Sequence, residues 1–334
     1  MTPSRSKRRL AWLAIVALTV VAGGTVPAGA DSLDPELVVA QILAPPAGTV
    51  DMEEESEPLE GARYPWLFPR TSTDRPDERT GRLIHIVYLV AGGMPDDHYD
   101  ELGVLEDSAR SMNVWMKQQT GNQQWRYDTY TFQAPDADGV MQSVNAVDVT
   151  FIQSNKPSAS LNGVAKVQAE LESLGFNEPN KRYLTYVAAN AGGVCGDAWY
   201  TFDPTPTEFD GKYSDIYLYS SAGCRAREFA PNATTPSYTE TIAMQEMVHN
   251  DGMVPMTAPH NCVVSLLAFG HVCTGPLWAG ELGGQNIDPE RFDVLYPYVG
   301  LPLNEKMLDA DHLDYYRHLA PYRDLEQSPY LETV

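Results

Sequence analysis

Glu246 and His249 belong to the run Gln245-Glu246-Met247-Val248-His249, which has the spacing of His-Glu-x-x-His with glutamine in the place of the first histidine. Residues four apart share one face of a helix, so positions 245 and 249 point the same way. Two donors on one face, with a glutamate beside the first, can hold zinc and use the carboxylate as a base. Further donors lie downstream: His260 in Ala258-Pro259-His260 and His271 in Gly270-His271-Val272. His260-Asn261-Cys262 and His271-Val272-Cys273 also form two His-x-Cys pairs, competent for zinc if the thiols are reduced. Gln245 is the weak member of the set. Its amide oxygen is neutral and hard, whereas zinc in such sites takes imidazole nitrogen or carboxylate oxygen. The chain has no Gly-x-Ser-x-Gly elbow around Ser220-Ser221, no phosphate-binding glycine loop and no dinucleotide fingerprint.

The helix that must carry this face has start and stop signals. Ser237-Tyr238-Thr239-Glu240 reads as a capping box with Pro236 just outside, and Gly252 can take the left-handed stop. Upstream, the apolar β-branched run 83–90 predicts a buried central strand. Leu102, Leu105, Ala109, Met112 and Met116 recur at helical spacing up to Gly121, and a second helix is expected over 159–175. Strands are expected at 125–132, 146–152, 182–189 and 214–221, the last two each leading into a loop with a cysteine. A short C-terminal helix is expected over 305–320. The order β-α-β-β-α-β-β-α, followed by a loop-rich segment, predicts an α/β layer fold. Residues 31–80 are acidic and proline-rich, so they read as a disordered linker with an apolar island at 64–68. The folded domain is then expected at 81–334, with an upper lobe at 81–252 and a lower lobe at 253–334. Asp136-x-Asp138-Gly139 lacks the rest of a calcium loop and reads as a turn.

Taken together, these segments resemble the zincin metallopeptidases, specifically metzincin-like secreted bacterial proteins that carry a HELGHxLGAVP helix. The resemblance rests on QEMVHNDGMVP at 245–255, IHIVYLV at 84–90, QQTGNQQWRYDTYTF at 118–132 and DVTFI at 148–152. It continues in LTYVAANAGGVCG at 184–196, in APH with a later GHV, and in LDADHLDYY at 308–316, in order over residues 82–318. It implies a twisted mixed sheet with an active-site helix and a smaller, loop-rich C-terminal lobe. It also implies a zinc cofactor and hydrolysis of peptide bonds in a peptide or protein substrate. His249 matches the second zinc histidine and Glu246 the general base. The third ligand of a metzincin lies six residues after the second histidine, where Pro255 stands. The resemblance then points to His271, with His260 in reserve. The turn beneath the metal matches Asp293-Val294-Leu295-Tyr296, with Leu295 for methionine, a volume-conserving swap. Two functions follow: a secreted zinc peptidase weakened or silenced by Gln245, or a catalytically inactive zincin-fold protein serving as an extracellular binding or structural module.

Compartment and charge narrow the partners. Residues 1–30 read as a secretory signal peptide: Arg5, Lys7, Arg8 and Arg9, an apolar run over 10–26, then Ala28-Gly29-Ala30 for cleavage. No later stretch is long and apolar enough to span a membrane, so no stable insertion is expected after cleavage. The net charge of −22 becomes four units more negative without the leader. Such a chain repels nucleic acid and anionic membranes. Cys195, Cys224, Cys262 and Cys273 are an even count in an exported chain, which predicts two disulfides. Four cysteines allow three pairings, and the sequence-local one, Cys195–Cys224 with Cys262–Cys273, is preferred.

Overall fold

An apolar run interrupted only by His85 must be covered on both faces, and β2 (Leu83–Gly92) is buried along its length up to Gly92. The computed structural model describes residues 37–43, 63–201, 211–254, 258–262, 270–273, 292–309, 312–320 and 323–334. The leader read at 1–30 lies outside these residues. Around β2 the chain places β1 (Leu37–Leu43), α1 (Val104–Thr120), β3 (Gln123–Trp125), β4 (Thr129–Pro135), β5 (Met141–Val147) and β6 (Val149–Pro157). Then come α2 (Val164–Ser173), β7 (Lys181–Ala188), β8 (Val194–Thr201), β9 (Tyr213–Tyr217), α3 (Tyr238–Asn250) and β10 (Leu331–Thr333).

The result is a mixed α/β fold around a six-stranded sheet in the order β1-β8-β9-β7-β2-β6. β6, β2, β7 and β9 run parallel, while β8 is antiparallel to both β9 and β1. Alternation along β2 sorts its side chains between two cores. Ile84, Ile86, Tyr88 and Val90 join the helices α1 and α3 on one face, whereas Val87, Leu89 and Ala91 meet α2 on the other. β4 and β5 form a separate hairpin closed by the Asp136–Gly139 turn, where Asp136 Oδ1 accepts from the Asp138 and Val140 amides. That segment is a turn, as its sequence indicates.

β5 and β10 are strands the sequence reading does not place, and three further differences have a clear physical reason. First, two parts of the stretch expected to be a disordered linker belong to the fold. Residues 37–43 form β1, and 63–80 are anchored by charge. Arg70 binds Asp96 and Asp100, Arg75 binds Asp148, and Asp74 and Asp77 bind Lys181. The same acidic and basic residues that suggested solvation find opposite partners on the domain. Second, Val194–Thr201 is a strand, although Gly196 and Asp197 interrupt its apolar pattern. Third, no α-helix forms among the described residues of 305–320; a single 3-10 turn occupies Leu303–Glu305. Asp309 explains this, because its carboxylate accepts from the amides of Asp314, Tyr315 and Tyr316. A side chain that takes these donors competes with the helical ladder. The C-terminus then returns to pair β10 with β3.

Candidate metal centre

The helix carrying the motif is buried on every side. Each residue of α3 from Thr239 to Asn250 is buried, because β8 and β9 cover one flank while α1 and the C-terminal loops cover the others. Its start is the capping box expected from Ser237 and Glu240, with the Ser237 amide donating to Glu240 at 2.8 Å. Its end is clamped by charge: Asp251, the C-cap, accepts from Arg182 at 2.6 Å and from the Ser328 hydroxyl at 2.9 Å. Gly252, at φ +68°, then turns the chain away, with its amide bonded to the His249 carbonyl.

His271 arrives from a different part of the chain. Asn261 and Val272 form an antiparallel bridge, Cys262 N–H donates to the His271 carbonyl, and Cys273 N–H donates to that of His260. The Cys262–Cys273 disulfide ties the two short segments together, and Cys195–Cys224 ties β8 to the loop after β9. The pairing is the sequence-local one. With both thiols of Cys262 and Cys273 oxidised, zinc binding by the two His-x-Cys pairs is ruled out. Two disulfides suit an oxidising, extracellular setting. Among the described residues no helix is long and apolar enough to cross a membrane.

Gly270 makes the approach of His271 possible. It sits at φ +83°, and a Cβ there would lie 3.0 Å from the ring of Tyr200. Tyr200, on β8, stands edge-on to His249 at 5.8 Å between ring centroids and donates its hydroxyl to the Val254 carbonyl at 2.5 Å. Nothing in the sequence marks Tyr200 as part of the site, and for Gly270 the one signal is its place directly before a candidate ligand.

These supports bring His249 Nε2 and His271 Nε2 to 3.4 Å, with both rings fully buried. That separation is long for a hydrogen bond. It equals what two imidazoles on one tetrahedral zinc require, since bonds of about 2.0–2.1 Å put their nitrogens about 3.4 Å apart. Burial, and secondarily the neighbouring His271, hold the His249 imidazole well below the usual histidine pKa. A neutral ring is the metal-binding form. One turn back, Gln245 donates its Nε2 to the Tyr296 carbonyl at 3.3 Å, and its buried Oε1 has no hydrogen-bond partner among the described residues. The turn 293–296 thus lies against the site, for the Leu295 carbonyl also accepts from Val272 N–H. Glu246 is fully buried, its Cγ close to Gly196 of β8. His260 is directed elsewhere: its Nδ1 lies 2.9 Å from Asp314 Oδ2 and its amide donates to Oδ1. The residues present therefore suit two imidazole positions and one amide oxygen.

A second group of donors is Asp74, His85, Asp128 and Asp148, with ligand atoms within 4.8 Å of one another. Its cation is already a side chain. Lys181 Nζ lies 2.8 Å from both Asp74 and Asp128 and 2.5 Å from Asp77, and Arg75 pairs with Asp148. Burial opposes the charge on Lys181, but hydrogen bonds to Asp128, Asp74 and Asp77 raise its pKa above the usual lysine range. This is an ion network that fastens 63–80 to the sheet. A cleft of about 320 Å³ between α1 and the β3–β4 segment, lined by Arg110, Lys117, Trp125 and Tyr127 among others, contains none of the α3 motif residues.

No protein-family model, curated protein or solved structure matches the chain.

Proposed function

We propose that the chain is a secreted, zincin-like metallopeptidase homologue acting on peptides. In this reading His249 and His271 are its two imidazole ligands, Gln245 is a weak third donor, and Glu246 is its proton carrier. The observation that carries the reading is the 3.4 Å approach of the two buried Nε2 atoms from separate elements. A mixed sheet with α3 packed against it is compatible with the α/β arrangement the resemblance implies. Bound zinc would supply a Lewis acid and acidify a water. Glu246 takes up the proton of the attacking water and passes it to the leaving amine. Tyr200 and the Cys262–Cys273 clasp position the histidines and exclude water around them.

One observation favours a second reading, a binding module without catalysis. Gln245 is tethered through its amide to Tyr296, and replacing an imidazole by this oxygen costs metal affinity. Losing even a partner behind a ligand typically costs about 10- to 100-fold. Zinc content and general peptide hydrolysis of wild type, Glu246→Gln and Gln245→His separate the two. Stoichiometric zinc with hydrolysis abolished by Glu246→Gln supports the peptidase. A metal-free, inactive wild type whose Gln245→His variant gains zinc supports the module. A Gln245→His protein that stays metal-free contradicts the ligand set itself.

A further inference from the structure

The chain carries 45 acids against 23 lysines and arginines, so a cleft whose only charged lining is cationic runs against its composition. The cleft of about 320 Å³ between α1 and the β3–β4 segment is of this kind: Arg79, Arg110 and Lys117 line it, and no carboxylate does. Arg110, Asn113 and Lys117 recur at helical spacing, so they share one face of α1. Asn113 fastens β3 against that face. Its Nδ2 donates to the Trp125 carbonyl at 3.1 Å, and its Oδ1 accepts from the Trp125 amide at 2.8 Å.

The acids that compensate the two arginines stand outside the lining. Glu106 is buried and accepts from Arg110 and from the Val147 amide, while Glu332 accepts from Arg79 and from Gln124 Nε2. Arg110 Nη2 donates to the Asn145 carbonyl at 2.9 Å, which leaves its Nη1 uncommitted among the described residues. Lys117, in the last turn of α1, has no side-chain partner among them. Positive charge thus faces the cleft while the counter-charge is held away from it, which favours an anion there.

Two further atoms narrow the class of anion. Gln124 uses its Nε2 on Glu332 and Asn145 its Nδ2 on Thr131, so each lends the cleft an amide oxygen, an acceptor. A bare oxyanion offers only acceptors and leaves these two unmatched, whereas hydroxyl groups donate to them. Trp125 and Tyr127 are almost fully buried, so little flat apolar surface remains for an aromatic or lipid ligand.

We propose that this cleft binds an acidic sugar, one or two hydroxylated rings bearing a carboxylate or a sulfate ester. Lys117 and Arg110 take the acid, and the amide oxygens of Gln124 and Asn145 accept from ring hydroxyls. The volume lies at the small end of ligand pockets, as a ligand of this size requires. The site shares no residue with the candidate metal centre, so it stands whether or not zinc is held.

The test is isothermal titration calorimetry on the full, disulfide-bonded chain at low salt. The probes are glucuronate, glucose 6-sulfate, glucose, sodium acetate and sodium sulfate. Saturable binding of glucuronate or glucose 6-sulfate is expected, and the tighter of the two identifies the acid. Glucose, which lacks the charge, and acetate and sulfate, which lack the ring hydroxyls, should each bind at least about tenfold more weakly. Lys117→Gln, at a half-buried helix position, should weaken the acidic sugar about tenfold with an unchanged urea midpoint. Lys166→Gln, exposed on α2, makes the same change in net charge and should leave binding as it is. No saturable binding of either acidic sugar overturns the proposal. So does glucose or a bare anion binding as tightly, binding unchanged by Lys117→Gln, or an equal loss in both lysine variants.

Discussion

His249 Nε2 and His271 Nε2 lie 3.4 Å apart although 22 residues separate them in sequence. Separate elements carry the two rings. His249 is fixed by a helix buried on all sides and clamped at Asp251. His271 is fixed by the Cys262–Cys273 clasp, the left-handed Gly270 and the Leu295 carbonyl. Two independently held imidazoles converging in a buried space form a preorganised pair, which is what a metal site needs.

Gly270→Ala probes the second support. Alanine at φ +83°, with its Cβ 3.0 Å from the Tyr200 ring, should cost about 1–3 kcal/mol of stability. It should also displace His271. Urea unfolding measures the first effect and zinc affinity the second. Unchanged stability and zinc affinity together would show that the loop does not need this backbone conformation.

Arg182→Met probes the first support. It leaves the fully buried Asp251 carboxylate at the end of α3 with the Ser328 hydroxyl but without Arg182, whose bond is 2.6 Å long. Removing one member of a buried pair typically costs about 3–5 kcal/mol. A urea midpoint shifted by less than about 1 kcal/mol, the range of an exposed pair, would contradict the clamp.

How far the sequence discloses this arrangement depends on how local each signal is. The capping box at Ser237 and Glu240, the stop at Gly252 and the continuous apolar run of β2 are short-range patterns, and the structure has all of them. The convergence of His249 with His271 is long-range, and only the family resemblance pointed to it. β1 and β8 escaped because their pairing partner supplies their reason to be strands. LVVAQIL sits beside an acidic tract, and Gly196-Asp197 breaks the pattern of β8. The expected helix at 305–320 had suitable apolar spacing. It lost to one carboxylate, Asp309, that captures three backbone amides.

The pair Asp197 and Asp215 gives a pH dependence of known sign. They face each other across β8 and β9, both buried. Burial raises both carboxyl groups above the usual range, and the neighbouring Asp197 raises Asp215 further. A folded pKa above the unfolded one means stability that is full below the unfolded value of 3.8 and lost as pH rises through the folded value. Asp215→Asn keeps the shape and removes one titration. Its Tm advantage over wild type should therefore grow as pH rises from about 4 to about 7. The general acidity of the chain affects both proteins alike and cancels in the difference. A constant difference across that window would contradict the buried pair.

Zinc bound per chain after dialysis against low free zinc, for wild type, His249→Ala and His271→Ala, tests the central claim most directly. Stoichiometric zinc in the wild type, lost in both variants while their far-ultraviolet circular dichroism is unchanged, is the predicted result. A wild type that takes up no zinc would contradict the peptidase reading, and a folded His249→Ala protein that retains zinc would contradict the site.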